Sequence, residues 1–117
     1  MEKLILITND DGVDSNGIKA LVDLARNLGR VVVVAPDGAR SGQSNAITVE
    51  HPIFCKKLHE ESNIEVFSCS GTPTDCVKLA LNKILNRKPD LVLSGINHGS
   101  NASTNVLYSG TMGAVFE

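Results

Sequence analysis

Apolar residues gather in three short uninterrupted runs, Leu4-Ile5-Leu6-Ile7, Val31-Val32-Val33-Val34-Ala35 and Leu91-Val92-Leu93. Runs rich in β-branched residues with no polar alternation fit strands covered on both faces, as in a parallel sheet. Between the first two, Ile18, Leu21, Val22, Ala25 and Leu28 recur at helical spacing, and Gly29 follows as a helix C-terminal cap. Strand, helix and strand make a βαβ unit with a right-handed crossover. Residues 46–58 and 64–70 read as extended arms of an antiparallel hairpin or flap, with the polar stretch His59-Glu60-Glu61-Ser62-Asn63 between them. A second helix starts at Thr72-Pro73-Thr74-Asp75: Thr72 caps, Pro73 takes the first helical position and Asp75 the third. It runs to about Leu85. Residues 95–109 read as a long Gly/Asn/Ser loop, and Gly110 to Glu117 as the opening of another helix. The fold class is therefore α/β: a Rossmann-like, mostly parallel sheet flanked by helices, with a β-hairpin insertion, in one domain over residues 1–117.

Composition narrows the function. The net charge is −2 and no basic cluster is present. Aromatics make up only 3% of the chain, so base stacking has few candidates. Both points argue against polynucleotide binding. No apolar run reaches membrane-spanning length, and the N-terminus lacks a signal-peptide cleavage pattern. The expected location is the cytoplasm. There Cys55, Cys69 and Cys76 act as small buried hydrophobes, and a hairpin would set Cys55 opposite Cys69.

The chemistry lies where the strands stop. Asn9-Asp10-Asp11-Gly12 follows the first run. Asp37 through Arg40-Ser41-Gly42-Gln43-Ser44-Asn45 follows the second, and Ser94-Gly95-Ile96-Asn97-His98-Gly99 follows the third. Singly, each is ordinary turn chemistry. In a parallel sheet all three converge on one edge, where ligands bind. Adjacent carboxylates repel and need a cation or a proton to coexist, and a hard divalent metal is the simplest answer.

Five segments in order resemble the survival protein SurE family of metal-dependent 5′-nucleotidases. They are Thr8-Asn9-Asp10-Asp11-Gly12; Ala35-Pro36-Asp37 with Arg40-Ser41-Gly42 and Ser44; Gly71-Thr72-Pro73-Thr74-Asp75-Cys76-Val77; Pro89-Asp90 through Gly99 with Asn101; and Tyr108-Ser109-Gly110-Thr111. The resemblance implies hydrolysis of nucleoside 5′-monophosphates with one divalent ion per chain, Mg²⁺ or Mn²⁺. It places the metal ligands on Asp10, Asp11, Ser41 and Asn97, with Asp10 and Asp11 as the catalytic pair. All four supply oxygen, which suits a hard cation. Substrate contacts are expected from Asn9, Ser44, Asn45, Ser109, Gly110 and Thr111, the last three as a phosphate-binding helix start. Asp14 stands where the family usually has histidine, Ala39 replaces a usual asparagine, and Ser103 a usual glycine.

Family members are about twice as long and carry an oligomerisation segment, so a homo-oligomer is expected and this chain corresponds to their N-terminal part. With the third strand's outer edge left open, the chain should be poorly stable and self-associating. The alternative reading is a non-catalytic metal- or nucleotide-binding fragment. A haloacid-dehalogenase-like phosphatase would want Asp-x-Asp, and a dinucleotide-binding fold a GxGxxG, after the first strand; neither is present.

Overall fold

The aliphatic runs become neighbouring parallel strands with helices on both sides. The computed structural model describes residues 3–38, 53–95, 105–109 and 113–114. Its elements are β1 (Lys3–Thr8), α1 (Asn16–Ala25), β2 (Gly29–Pro36), β3 (Cys55–Glu61), β4 (Ile64–Cys69), α2 (Pro73–Leu79), β5 (Leu91–Ser94), β6 (Asn105–Ser109) and β7 (Gly113–Ala114). They form one sheet in the order β3-β4-β2-β1-β5-β6-β7. The pairs β4–β2, β2–β1 and β1–β5 are parallel; β3 pairs antiparallel with β4 on one side, and on the other β6 pairs antiparallel with β5 and β7 with β6.

Strand alternation divides the core in two. Ile5, Ile7, Val31, Val33 and Leu93 pack with Ile18, Leu21 and Ala25 of α1. Leu4, Leu6, Val32, Val34 and Val92 pack on the other face with Cys76 of α2 and with Ala80. Each buried valine, leucine or isoleucine among them contributes roughly 1.5–3 kcal/mol.

Both helices are capped from the sequence. The Ser15 hydroxyl accepts from the Ile18 N–H at the start of α1. At α2 the box is reciprocal: Thr72 Oγ1 accepts from Asp75 N–H, and Asp75 Oδ2 from Thr72 N–H. The helical path continues past α2 as a π-helical turn, Ala80–Ile84.

Several expectations are corrected. Gly29 does not cap α1; it opens β2, and a Cβ there would lie 2.4 Å from the Lys3 carbonyl oxygen. Leu28 lies beyond the helix and is exposed. The polar residues His59 to Glu61 are strand, paired with β4, and only Ser62 and Asn63 turn. The stretch expected to be loop up to Ser109 contains β6, which pairs with β5. The open outer edge of β5 is therefore covered, and the self-association expected from it loses its motive. Gly113 and Ala114 are strand rather than helix. Two glycines within four residues disfavour a helix there, while Tyr108, the partner of Ala114, is β-prone.

The chain entering β5 is fastened to β1 by Asp90. Its carboxylate accepts from the Leu4 N–H at 2.8 Å and from Arg87 at 3.2 Å, while its own N–H donates to the Leu4 carbonyl at 2.8 Å. The Leu4 N–H, aided by Arg87, holds the carboxyl below the usual aspartate range. A depressed folded-state pKa adds stability above the unfolded value, about 3.9, and that stability fades as pH falls through the folded value. Asp90→Asn should lower the urea midpoint at pH 7, and the difference from the parent should shrink as pH falls from about 5 to 3.

Cys55 and Cys69 are register partners across β3 and β4, as the hairpin reading required. Cys69 and Cys76 are buried, whereas Cys55 is exposed, against expectation; all three are free thiols. Partial desolvation and a hydrogen bond shared with Cys69 push the Cys55 thiol up to about 12. Cys69 is pushed up as well, by its hydrogen bond with Cys76 and by burial. Thiolate is the reactive form, so Cys55 of the folded chain should react with iodoacetamide at pH 8 about a hundred-fold or more slower than after unfolding in urea.

Candidate active site at the carboxyl ends of β1 and β5

From β1 the chain proceeds to β2 and β4 on one side, then returns to β5 on the other. Strand order therefore reverses between β1 and β5, and open α/β sheets bind ligands in the crevice outside the carboxyl ends at such a reversal. Asp10 and Asp11 follow β1 at this point, both partly exposed.

The loop that carries them is stapled from within. Asn9 is fully buried. Its Nδ2 donates to the Gly12 carbonyl and to Ser15 Oγ, each at 2.9 Å, and its Oδ1 accepts from the Gly12 N–H at 3.1 Å. Gly12 has φ +106°, and a Cβ there would lie 3.2 Å from the Gly38 backbone. A side chain would be strained by the dihedral and crowded by the neighbouring loop. The Val13 N–H reaches the Pro36 carbonyl at 2.8 Å, which ties this loop to the end of β2. On the other flank, Thr8 is the register partner of Ser94, and the Gly95 N–H donates to the Thr8 carbonyl at 3.0 Å. The starts of all three polar clusters thus lie side by side at one sheet edge.

Burial, reinforced by the neighbouring Asp11 carboxylate, raises Asp10 above the usual carboxylate pKa. The described part of the site holds the two carboxylates of Asp10 and Asp11. No group of three or more His, Cys, Asp or Glu able to hold a metal occurs among the described residues. An all-oxygen donor set with two negative charges fits a hard divalent ion.

Ser41, Ser44, Asn45, Asn97, Gly110 and Thr111 lie outside the described residues. Asn9, expected at the substrate, uses its amide inside the loop. Ser109 is not brought to Asp10 and Asp11: it pairs with Leu91 at the start of β5, three residues from Ser94 and so about 10 Å along the strand. Gly113 and Ala114, expected inside the helix that was to start at Gly110, are strand. A cleft of about 460 Å³ opens elsewhere, between α1 and the β3–β4 hairpin; Val13 and Asp14 line it, but Asp10 and Asp11 do not. One feature passed over in the sequence is the Thr8 hydroxyl. Thr8 is 1% exposed, and its Oγ1 has no hydrogen-bond partner among the described residues.

Comparison with known proteins places this geometry in a group. The family model described as survival protein SurE matches residues 5–117. The 5′-nucleotidase SurE of Phocaeicola vulgatus is 55% identical over 114 residues, covering 97% of this chain and 44% of that protein. The protein of the same name from Bacteroides fragilis is 56% identical over 114 residues, covering 97% of this chain and 45% of its own length. The crystal structure of the SurE protein from Aquifex aeolicus superposes with a TM-score of 0.72 at 46% identity, over 84% of this chain and 39% of that one. The chain thus spans less than half the length of the relatives it matches.

Proposed function

The chain belongs to the survival protein SurE family, and from that premise we propose that it carries the metal-binding part of a divalent-metal-dependent phosphohydrolase, a 5′-nucleotidase that removes phosphate from nucleoside 5′-monophosphates. The carrying observation is the Asp10–Asp11 pair at the β1/β5 reversal, on a loop fixed by Asn9 and Gly12. Asp10, Asp11, Ser41 and Asn97 hold one ion per chain, Mg²⁺ or Mn²⁺. When bound, such an ion supplies Lewis-acid stabilisation of phosphoryl oxygens and acidifies water.

The protein's own contributions are separable. Asp10 and Asp11 neutralise the ion, and neutral Ser41 and Asn97 add oxygen without further charge, so a phosphate dianion meets no surplus anion. Asn9 keeps both carboxylates at the strand end. Ser44 and Asn45 serve the substrate. Ser109, Gly110 and Thr111 serve the phosphate, and for Ser109 to do so β6 has to leave its register on β5. The reading treats residues 1–117 as one α/β unit of a cytoplasmic homo-oligomer that binds no polynucleotide. No helix among the described residues is long and apolar enough to cross a membrane.

The position of Ser109 favours a second reading, in which this chain binds metal without turning substrate over. Hydrolysis of 5′-AMP with Mn²⁺, with and without EDTA, separates the two. The first reading predicts turnover that EDTA abolishes. Stoichiometric Mn²⁺ binding without turnover supports the second, and EDTA-insensitive turnover contradicts both.

A further inference from the structure

A buried hydroxyl with no partner is unusual, because leaving a polar group unpaired away from water is unfavourable and most such groups find a bond. Among the described residues Thr8 Oγ1 is in that position, in the last residue of β1. Its main chain is committed to β5: the carbonyl accepts from Gly95 N–H, and the residue pairs with Ser94. A hydroxyl can donate one hydrogen bond and accept others. Two residues further on is Asp10, to which none of the described residues donates a hydrogen bond. Among the described residues, then, a donor without an acceptor and a carboxylate without a donor occupy the same strand end.

Carboxylates that ligate metals are usually held by a hydrogen bond to the oxygen left free, and removing that outer partner typically weakens metal binding about 10–100-fold. Resting on the metal-site reading above, we infer that Thr8 is a positioning residue for the ion. Its hydroxyl donates to the Asp10 carboxylate when the carboxylate ligates the metal, and stands unpaired when it does not. The unpaired state is the unfavourable one, so metal binding relieves it.

The inference makes stability and affinity move in opposite directions. Thr8→Val keeps the shape of the side chain and removes the orphaned hydroxyl. The metal-free protein should melt at the same temperature as the parent or higher, while Mn²⁺ binding weakens about ten-fold or more. Thr8→Ser keeps the hydroxyl and loses a buried methyl. It should melt lower, yet bind Mn²⁺ within about three-fold of the parent. The experiment is a Mn²⁺ titration of the 117-residue chain, followed by the electron paramagnetic resonance signal of free Mn²⁺, beside thermal melts of the metal-free proteins. Parent-like affinity in Thr8→Val, with affinity lost in Asp10→Asn, would overturn the role of Thr8 and leave the metal site standing. Equal loss in Thr8→Val and Thr8→Ser would also overturn it, since the hydroxyl would not be the cause. If the parent chain itself failed to bind Mn²⁺, the metal-site reading would fall and this inference with it.

Discussion

Asp10→Asn and Asp11→Asn should each reduce Mn²⁺-dependent 5′-AMP hydrolysis by about a thousand-fold, while leaving the fold intact. Lewis-acid stabilisation of a phosphoryl group is worth several kcal/mol, and each 1.36 kcal/mol is a factor of ten in rate. Neither aspartate sits in the apolar core, and both are partly exposed after β1. In the metal-free chain the two carboxylates repel, and Asp11 adds to the upward shift of Asp10. Neutralising Asp10 relieves that repulsion, so the melting temperature of metal-free Asp10→Asn should hold or rise. Initial rates at saturating Mn²⁺, paired with metal-free thermal melts, test both halves. Rates within a few-fold of the parent would remove the pair from the chemistry. A collapse in melting temperature would make them structural residues instead.

The second large effect is on stability. Asn9→Ala should destabilise the protein by about 2–4 kcal/mol, because it breaks a buried three-bond staple and leaves the Gly12 N–H without its acceptor. For a chain of this length that corresponds to a fall of roughly 10 °C or more in melting temperature. Asn9→Asp should be no better. It keeps an acceptor for the Gly12 N–H but turns a carboxylate oxygen toward the Gly12 carbonyl, and adds a third negative charge beside Asp10 and Asp11. Urea unfolding of the three proteins measures the difference. A change in Asn9→Ala within about 0.5 kcal/mol, the usual range for surface substitutions, would mean that the loop holds itself without the amide.

What could be read from the sequence follows where the local signal was strong. The runs at Leu4, Val31 and Leu91 became β1, β2 and β5 because a strand buried on both faces needs no partner-specific pattern. The Thr72–Asp75 cap was legible because all its parts lie within four residues. The second arm of the hairpin emerged as β4, whereas β3 was only partly seen: its Cys55–Glu61 stretch is exposed and charged, and its extended form is imposed by pairing with β4. The same holds for β6, whose pairing with β5 is a tertiary choice made in a stretch that looks like loop. Gly29 looked like a cap, but the demand on it comes from Lys3 in a strand 26 residues away in sequence.

The site divides in the same way. That Asp10 and Asp11 would stand at a sheet edge followed from a strand ending in two carboxylates. That Asn9 would be consumed inside its own loop was foreshadowed only by the Asn-x-x-Gly spacing, which suits an amide that bonds the backbone three residues on. The orphaned hydroxyl of Thr8 had no sequence signature at all, because threonine at a strand end is ordinary and its missing partner is a property of the packed structure. The phosphate role of Ser109 rested on a helix expected from Gly110 to Glu117, and the described residues of that stretch, Gly113 and Ala114, pair as strand with β6.

One divalent ion should be held at the β1/β5 reversal by Asp10 and Asp11. The most direct measurement is anomalous diffraction from crystals of the chain grown with Mn²⁺. One strong peak per chain is expected, with carboxylate oxygens of Asp10 and Asp11 at roughly 2.1–2.3 Å and oxygens of Ser41 and Asn97 completing the protein's share of the ligands. A fully formed site with no peak at Mn²⁺ concentrations that saturate binding in solution, or a peak ligated elsewhere with both aspartates out of reach, would contradict it.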